Sequence, residues 1–182
     1  MLKNYFLKFK KNNLALTKPA FSMIEIITVL LVISIGMTGI MSLIVQNIQS
    51  QSISRKTLIA YQLAQEGVEL IRQVRDTNWR NGSGPENWRL NLNAGQYYMD
   101  YLSPLPVSAA NTASGRLSKD SEEMYYSNPA TTLDEEDFSR IITIAYPDGL
   151  DKQMKINSTV YWVDRGNQYF YTVETELYDW RK

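Results

Sequence analysis

Residues 26–45 read IITVLLVISIGMTGIMSLIV, twenty consecutive positions without a charge. As a helix rising about 1.5 Å per residue they extend about 30 Å, the thickness of a bilayer's hydrocarbon core. The core helix of a small soluble domain rarely stays apolar on every face for this length, because one face normally meets water. The stretch predicts a transmembrane helix and governs the reading of both flanks.

On its N-terminal side, Lys3, Lys8, Lys10, Lys11 and Lys18 precede the first acidic residue, Glu25. On its C-terminal side come Gln46, Asn47, Gln49, Ser50, Gln51 and Ser52. By the positive-inside rule the N-terminus is expected in the cytoplasm and the C-terminal part outside the membrane. An ordinary secretory signal has an apolar core of about 7–15 residues followed by a small-residue cleavage site. Here the core is longer and no A-x-A site follows it.

The 182-residue chain carries 19 basic and 19 acidic side chains, a balance that conceals an uneven distribution. Beyond residue 20, fourteen cations face nineteen anions, a net charge of −5. That sign disfavours a broad nucleic-acid footprint, and no nucleic-acid partner is expected. There is no cysteine and no histidine, so disulfides, thiolate sites and the usual general base near neutral pH are all missing. Glu66 and Glu69 share a helical segment without a recognisable acid-base partner. Asp134, Glu135, Glu136 and Asp137 form an acidic run without the ligand spacing or glycine of a helix-loop-helix calcium site, and are read as a solvated loop. No catalytic residue, no cofactor and no metal site is expected, and the chain is read as a non-enzyme.

Glu25 is the anomaly of the anchor. A carboxylate in hydrocarbon costs a few kcal/mol even on lenient scales. With a helix starting near Phe21, Glu25 lies about one turn in, where the positive end of the helix dipole favours an anion. The same carboxylate can be neutralised by a free terminal ammonium on a neighbouring subunit, provided the lysine-rich segment is removed.

Residues 20–27, AFSMIEII, following that lysine-rich segment and leading directly into the apolar helix, resemble the processing signal of type IV prepilins and pseudopilins. The resemblance implies cleavage between Ala20 and Phe21 by a prepilin peptidase, N-methylation of Phe21 and an assembly role for Glu25. Ala20 stands where the family usually has glycine, and residues 26–45 lack the family's frequent helix-bending proline. Gly36 and Gly39 are the permissive positions instead, and their spacing is not that of a GxxxG pair. The implied partners are the membrane, the peptidase/methyltransferase, other pilin or pseudopilin subunits and an assembly platform.

Past the span, Ile48, Ile53, Leu58, Ile59, Leu63, Ala64, Val68, Ile71 and Val74 recur at mostly helical spacing, predicting a stem with one buried stripe. Residues 61–79, YQLAQEGVELIRQVRDTNW, are similar to the stems of minor pilins and secretion pseudopilins. Turn formers from Asp76 to Pro85 predict that the helix stops near 76–80, followed by a loop with Trp79 and Trp88. Beyond it, 96–102 reads as a strand, 103–137 as loops with at most a short edge strand, and 140–146, 152–163 and 168–177 as an antiparallel meander. In the middle strand Met154, Ile156, Ser158, Val160 and Trp162 share one face; in the last, Tyr169, Tyr171, Val173, Thr175 and Leu177 do. Residues 159–180 are similar to the terminal strands of the same relatives.

The expected fold class is therefore α+β, a pilin-like lollipop with a long N-terminal transmembrane helix packed on a C-terminal antiparallel sheet. Its parts are a basic leader (1–20), a transmembrane and assembly helix (21–45), an exported amphipathic stem (46–78) and a β-rich head (79–182). The function implied is a structural subunit of a type IV pilus or pseudopilus, closer to the minor subunits. The alternative is an uncleaved bitopic membrane protein with a binding head outside the membrane.

Overall fold

The computed structural model describes residues 21–82, 87–102, 105–120, 122, 124–130, 132–134, 137–147 and 152–179. One helix, α1 (Met23–Asn81), is followed by seven strands: β1 (Gly95–Tyr98), β2 (Val107–Ser108), β3 (Arg116–Lys119), β4 (Tyr125–Ser127), β5 (Phe138–Ala145), β6 (Gln153–Asp164) and β7 (Asn167–Tyr178). The fold is α+β, with α1 beyond Ile48 packed on one antiparallel sheet. The chain divides into two compact units, meeting between Asn47 and Ile48.

In the first unit, described from Phe21 to Asn47, α1 is apolar and exposed throughout. Three of its hydroxyl groups are satisfied locally: Thr28 donates to the Glu25 carbonyl at 2.9 Å, Ser34 to the Leu30 carbonyl at 2.7 Å and Thr38 to the Ile35 carbonyl at 2.8 Å. Bonded in this way, each hydroxyl is tolerated in an apolar setting. By length and composition this helix is capable of crossing a bilayer.

In the second unit, the sheet is built around β5. One edge of β5 pairs with β6 along its whole length, and β6 pairs with β7 from Gln153↔Tyr178 to Asp164↔Asn167. The other edge is shared: β3 pairs with its first half (Leu117↔Phe138) and β1 with its second half (Tyr97↔Ile142). The sheet forks there, with β4 beyond β3 and β2 beyond β1. The β6–β7 hairpin turns on Arg165 and Gly166, both at positive φ (52° and 74°). Two left-handed residues in succession match the right-handed twist of the flanking strands.

Strict alternation along β6 buries Met154, Ile156, Ser158, Val160 and Trp162, the face expected from the sequence. Against it lie Ala60, Leu63, Ala64, Gly67, Val68, Ile71 and Val74 of α1. Ile48 and Leu58 were expected in this stripe, yet are 60% and 65% exposed; at the point of contact the small side chains Ala60 and Ala64 face the sheet instead. Trp79 belongs to α1, not to a loop, and its ring meets that of Trp88 at 6.5 Å. The strand expected over 96–102 ends at Tyr98 because buried Asp100 accepts the Leu102 N–H at 3.1 Å and the Ser127 N–H at 2.6 Å. Between 105 and 134 three short strands replace the expected loops, held by pairing with distant residues rather than by local pattern.

Arg140 leaves β5 where the sheet forks and is 1% exposed. Its Nη1 donates to the Leu63 carbonyl of α1 at 2.9 Å and its Nη2 to the Met99 carbonyl at 2.6 Å. Glu66 supplies the countercharge, Oε2 lying 3.1 Å from Nη1. Directly above, a Cβ on Gly67 would stand 2.4 Å from Ser158 Oγ and 2.8 Å from Arg140 Cδ.

Gly67→Ala is therefore expected to destabilise the head by about 1–3 kcal/mol, the usual range for overpacking, read as a lower denaturant midpoint for the detergent-solubilised chain. An unchanged midpoint would mean that α1 does not approach β6 this closely.

Candidate functional site

The residues singled out by the sequence cluster at the start of α1. Ala20 lies outside the described residues. Phe21 precedes the helix and is 78% exposed. Ser22 opens the helix: its carbonyl accepts the N–H of Glu25 at 3.0 Å and of Ile26 at 3.2 Å. Counting Ser22 as the cap, Glu25 occupies the third helical position, giving the S-x-x-E spacing of a capping box. Glu25 is exposed, in the first turn, and the only acidic residue between Phe21 and Asn47. A carboxylate there is favoured by the unsatisfied N–H groups of the helix end, which is the electrostatic reason it sits at this point of an apolar helix.

Gly36 and Gly39 have open space around them, with nothing within 4 Å of an added Cβ among the described residues. Of the acidic run, Glu135 and Glu136 lie outside the described residues. Asp137 accepts the Asp134 N–H at 3.1 Å and lies 3.5 Å from Arg116, so it is engaged within the head. No group of three or more His, Asp or Glu side chains among the described residues is placed to hold a metal ion.

Glu66 and Glu69, weighed as paired carboxylates, have separate structural partners. Glu66 holds buried Arg140, and Glu69 pairs with Arg72 one turn on. Sequence reasoning missed Arg140; the signal was a lone charged residue in a strand, FSRIITIA, that carries no other charge.

The outer face of the β6–β7 hairpin carries its own pairings. Lys155 Nζ lies 2.8 Å from Glu174 Oε1, Thr159 and Thr172 share a hydrogen bond of 2.9 Å, and the Tyr161 ring lies tilted by 43° against that of Phe170, centroids 6.3 Å apart. The hydrogen bond that Lys155 donates to Glu174 raises the lysine's pKa, against a smaller opposing effect of desolvation. Tyr178 donates its hydroxyl to Glu176 at 2.5 Å, and that bond raises its pKa. Tyr101 is also raised, by desolvation first and then by the charge of Asp120.

Compared with known protein families, curated proteins and solved structures, the chain matches none.

The raised groups set an alkaline limit on the head. In each, folding favours the protonated form, so the stabilisation is complete below the ordinary value and is lost as pH rises through the raised one. Denaturant midpoints should accordingly fall as pH climbs above about 10, the ordinary Tyr and Lys range. The Tyr178→Phe, Lys155→Met double variant should show a shallower fall. Parallel profiles for variant and parent would rule these groups out as its source.

Proposed function

We propose that this protein is a structural subunit of a type IV pilus or related pseudopilus, of the minor kind, anchored in the membrane by α1 before assembly. Residues 1–20 are removed between Ala20 and Phe21, Phe21 is methylated, and the apolar helix passes laterally from the bilayer into the filament core. The head stands outside the cytoplasm and performs no catalysis. The single observation that supports this most is the apolar first part of α1, residues 23–47, exposed among the described residues, whose one carboxylate, Glu25, sits in the first turn beside exposed Phe21.

Burial of apolar surface, at about 25 cal/mol per Å², supplies the drive for such assembly, while the lone carboxylate supplies register. In a filament core an unpaired Glu25 would be costly, whereas the amine of a neighbouring Phe21 neutralises it through a charge-assisted hydrogen bond. The peptidase is a partner in this scheme, and the chain is its substrate.

Intact-mass measurement of membrane-isolated protein should give a chain starting at Phe21 with one added methyl group. Exclusive recovery of the chain with residues 1–20 attached would favour the uncleaved bitopic reading.

For a processed chain, Glu25→Gln should leave head stability unchanged and cut recovery in sheared filaments or trapped pseudopili by about tenfold or more, as expected for loss of a buried pair worth over 1.4 kcal/mol. Normal recovery of a processed variant would refute the pairing.

A further inference from the structure

Asn81 is the last residue of α1 and the one asparagine in the chain that glycine follows. A glycine in that position leaves its main-chain nitrogen with no Cβ beside it. Such a nitrogen can close a five-membered ring on the asparagine side chain. Asn81 is exposed to solvent. Two sets of bonds hold the turn that it ends. The Gly82 N–H donates to the Asn78 carbonyl at 2.9 Å, and the Asn78 side chain donates to the carbonyls of Leu90 at 2.7 Å and Trp88 at 3.3 Å. The nitrogen that would attack is thus occupied in a helical hydrogen bond, and the helical backbone at Asn81 turns it away from the side-chain carbon. One helix end therefore carries both a reactive pair and a brake upon it.

We propose that Asn81 is a site of spontaneous deamidation, released each time the last turn of α1 opens. With the turn open, the Gly82 nitrogen gives up its proton and bonds to Cγ of Asn81. The Cγ–Nδ2 bond breaks and ammonia leaves, taking up a proton in place of the one released, so that a cyclic imide remains. One water then opens the ring. Attack at Cγ gives aspartate. Attack at the main-chain carbonyl of Asn81 gives isoaspartate, in which the chain runs through Cβ and Cγ and is longer by one methylene. Nothing is oxidised or reduced, and water is the sole co-reactant. Helix ends fray far more readily than a packed interior opens, so conversion proceeds in the folded chain. Either product sets a carboxylate at the C-terminal end of the helix, where the unsatisfied carbonyls oppose an anion. The turn that holds the Trp79 ring 6.5 Å from that of Trp88 is loosened as a result. The inference stands on this helix end alone and does not rest on the proposed function.

The test incubates the full chain in mild detergent, folded or in denaturant, in mildly alkaline buffer made with heavy-oxygen water, and follows it by peptide mapping. Asn81 should convert to aspartate and isoaspartate carrying one solvent oxygen, ahead of every other asparagine. The denatured chain should convert about tenfold faster, the upper scale for release of one hydrogen bond. Asn78→Ala, which removes the ties to residues 88 and 90, should raise the folded rate severalfold and leave the denatured rate unchanged. Gly82→Ala, which places a Cβ beside the attacking nitrogen, should stop conversion over the same period in both states. Asn81 left intact in the folded chain while the denatured chain converts would overturn the site. Equal folded and denatured rates, or a folded rate that Asn78→Ala leaves unchanged, would overturn the brake.

Discussion

The guanidinium of Arg140 ties together, by hydrogen bonds, three parts of the head that also share one apolar cluster: the stem, the segment past β1, and β5. It bonds the carbonyl of Leu63 in the stem, the carbonyl of Met99 just past β1, and the carboxylate of Glu66, all while 1% exposed. A buried cation without such partners would cost several kcal/mol, so the stem, the end of β1 and β5 must be brought together for the side chain to be tolerated. Its Nε finds no partner among the described residues, and Gly67 and Ser158 crowd the same spot. The close approach of helix to sheet therefore depends on the absence of a side chain at residue 67 as much as on the charge beneath it.

From that crossing the rest of the head follows. β5 serves β1 and β3 on one edge, and the side chain of Arg140 departs between them. The turn at residues 112–115 covers the outer face of β5, where Ser139 donates to the Thr112 carbonyl and Gly115 lies against the Arg140 carbonyl. This cover is why β5 is buried on both faces while β6 alternates.

The two units use apolar surface differently. Residues 26–45 are apolar all round and exposed all round, so no one face of the helix is selected over another. Beyond Ile48, small residues at 60, 64 and 67 select a face, and large ones at 63, 68 and 71 fill the space beside them. Only the second pattern encodes a rigid docking geometry; the first, by its length and composition, makes a helix capable of crossing a bilayer.

Periodicity alone determined the elements whose residues repeat a local rule. Residues 26–45 are a helix because no strand or loop satisfies twenty uncharged, mostly apolar residues, and β6 and β7 alternate over twelve positions each. The place of Glu25 one turn inside the helix was equally legible, because a carboxylate in an apolar run marks its own end. Tertiary structure decided the rest. β2, β3 and β4 are two to four residues long, too short to show a period, and exist because β1, β5 and β3 respectively offer them an edge. Leu58 is as apolar as Leu63, yet one is exposed and the other buried; the choice was made by where Ala60, Ala64 and Gly67 let the sheet approach. Arg140 reads in sequence as one more charge, and became the centre of the head only because the carbonyls of residues 63 and 99, far away along the chain, meet it in space. Local patterns specify what a segment can become, and distant partners, which no local pattern records, specify what it touches.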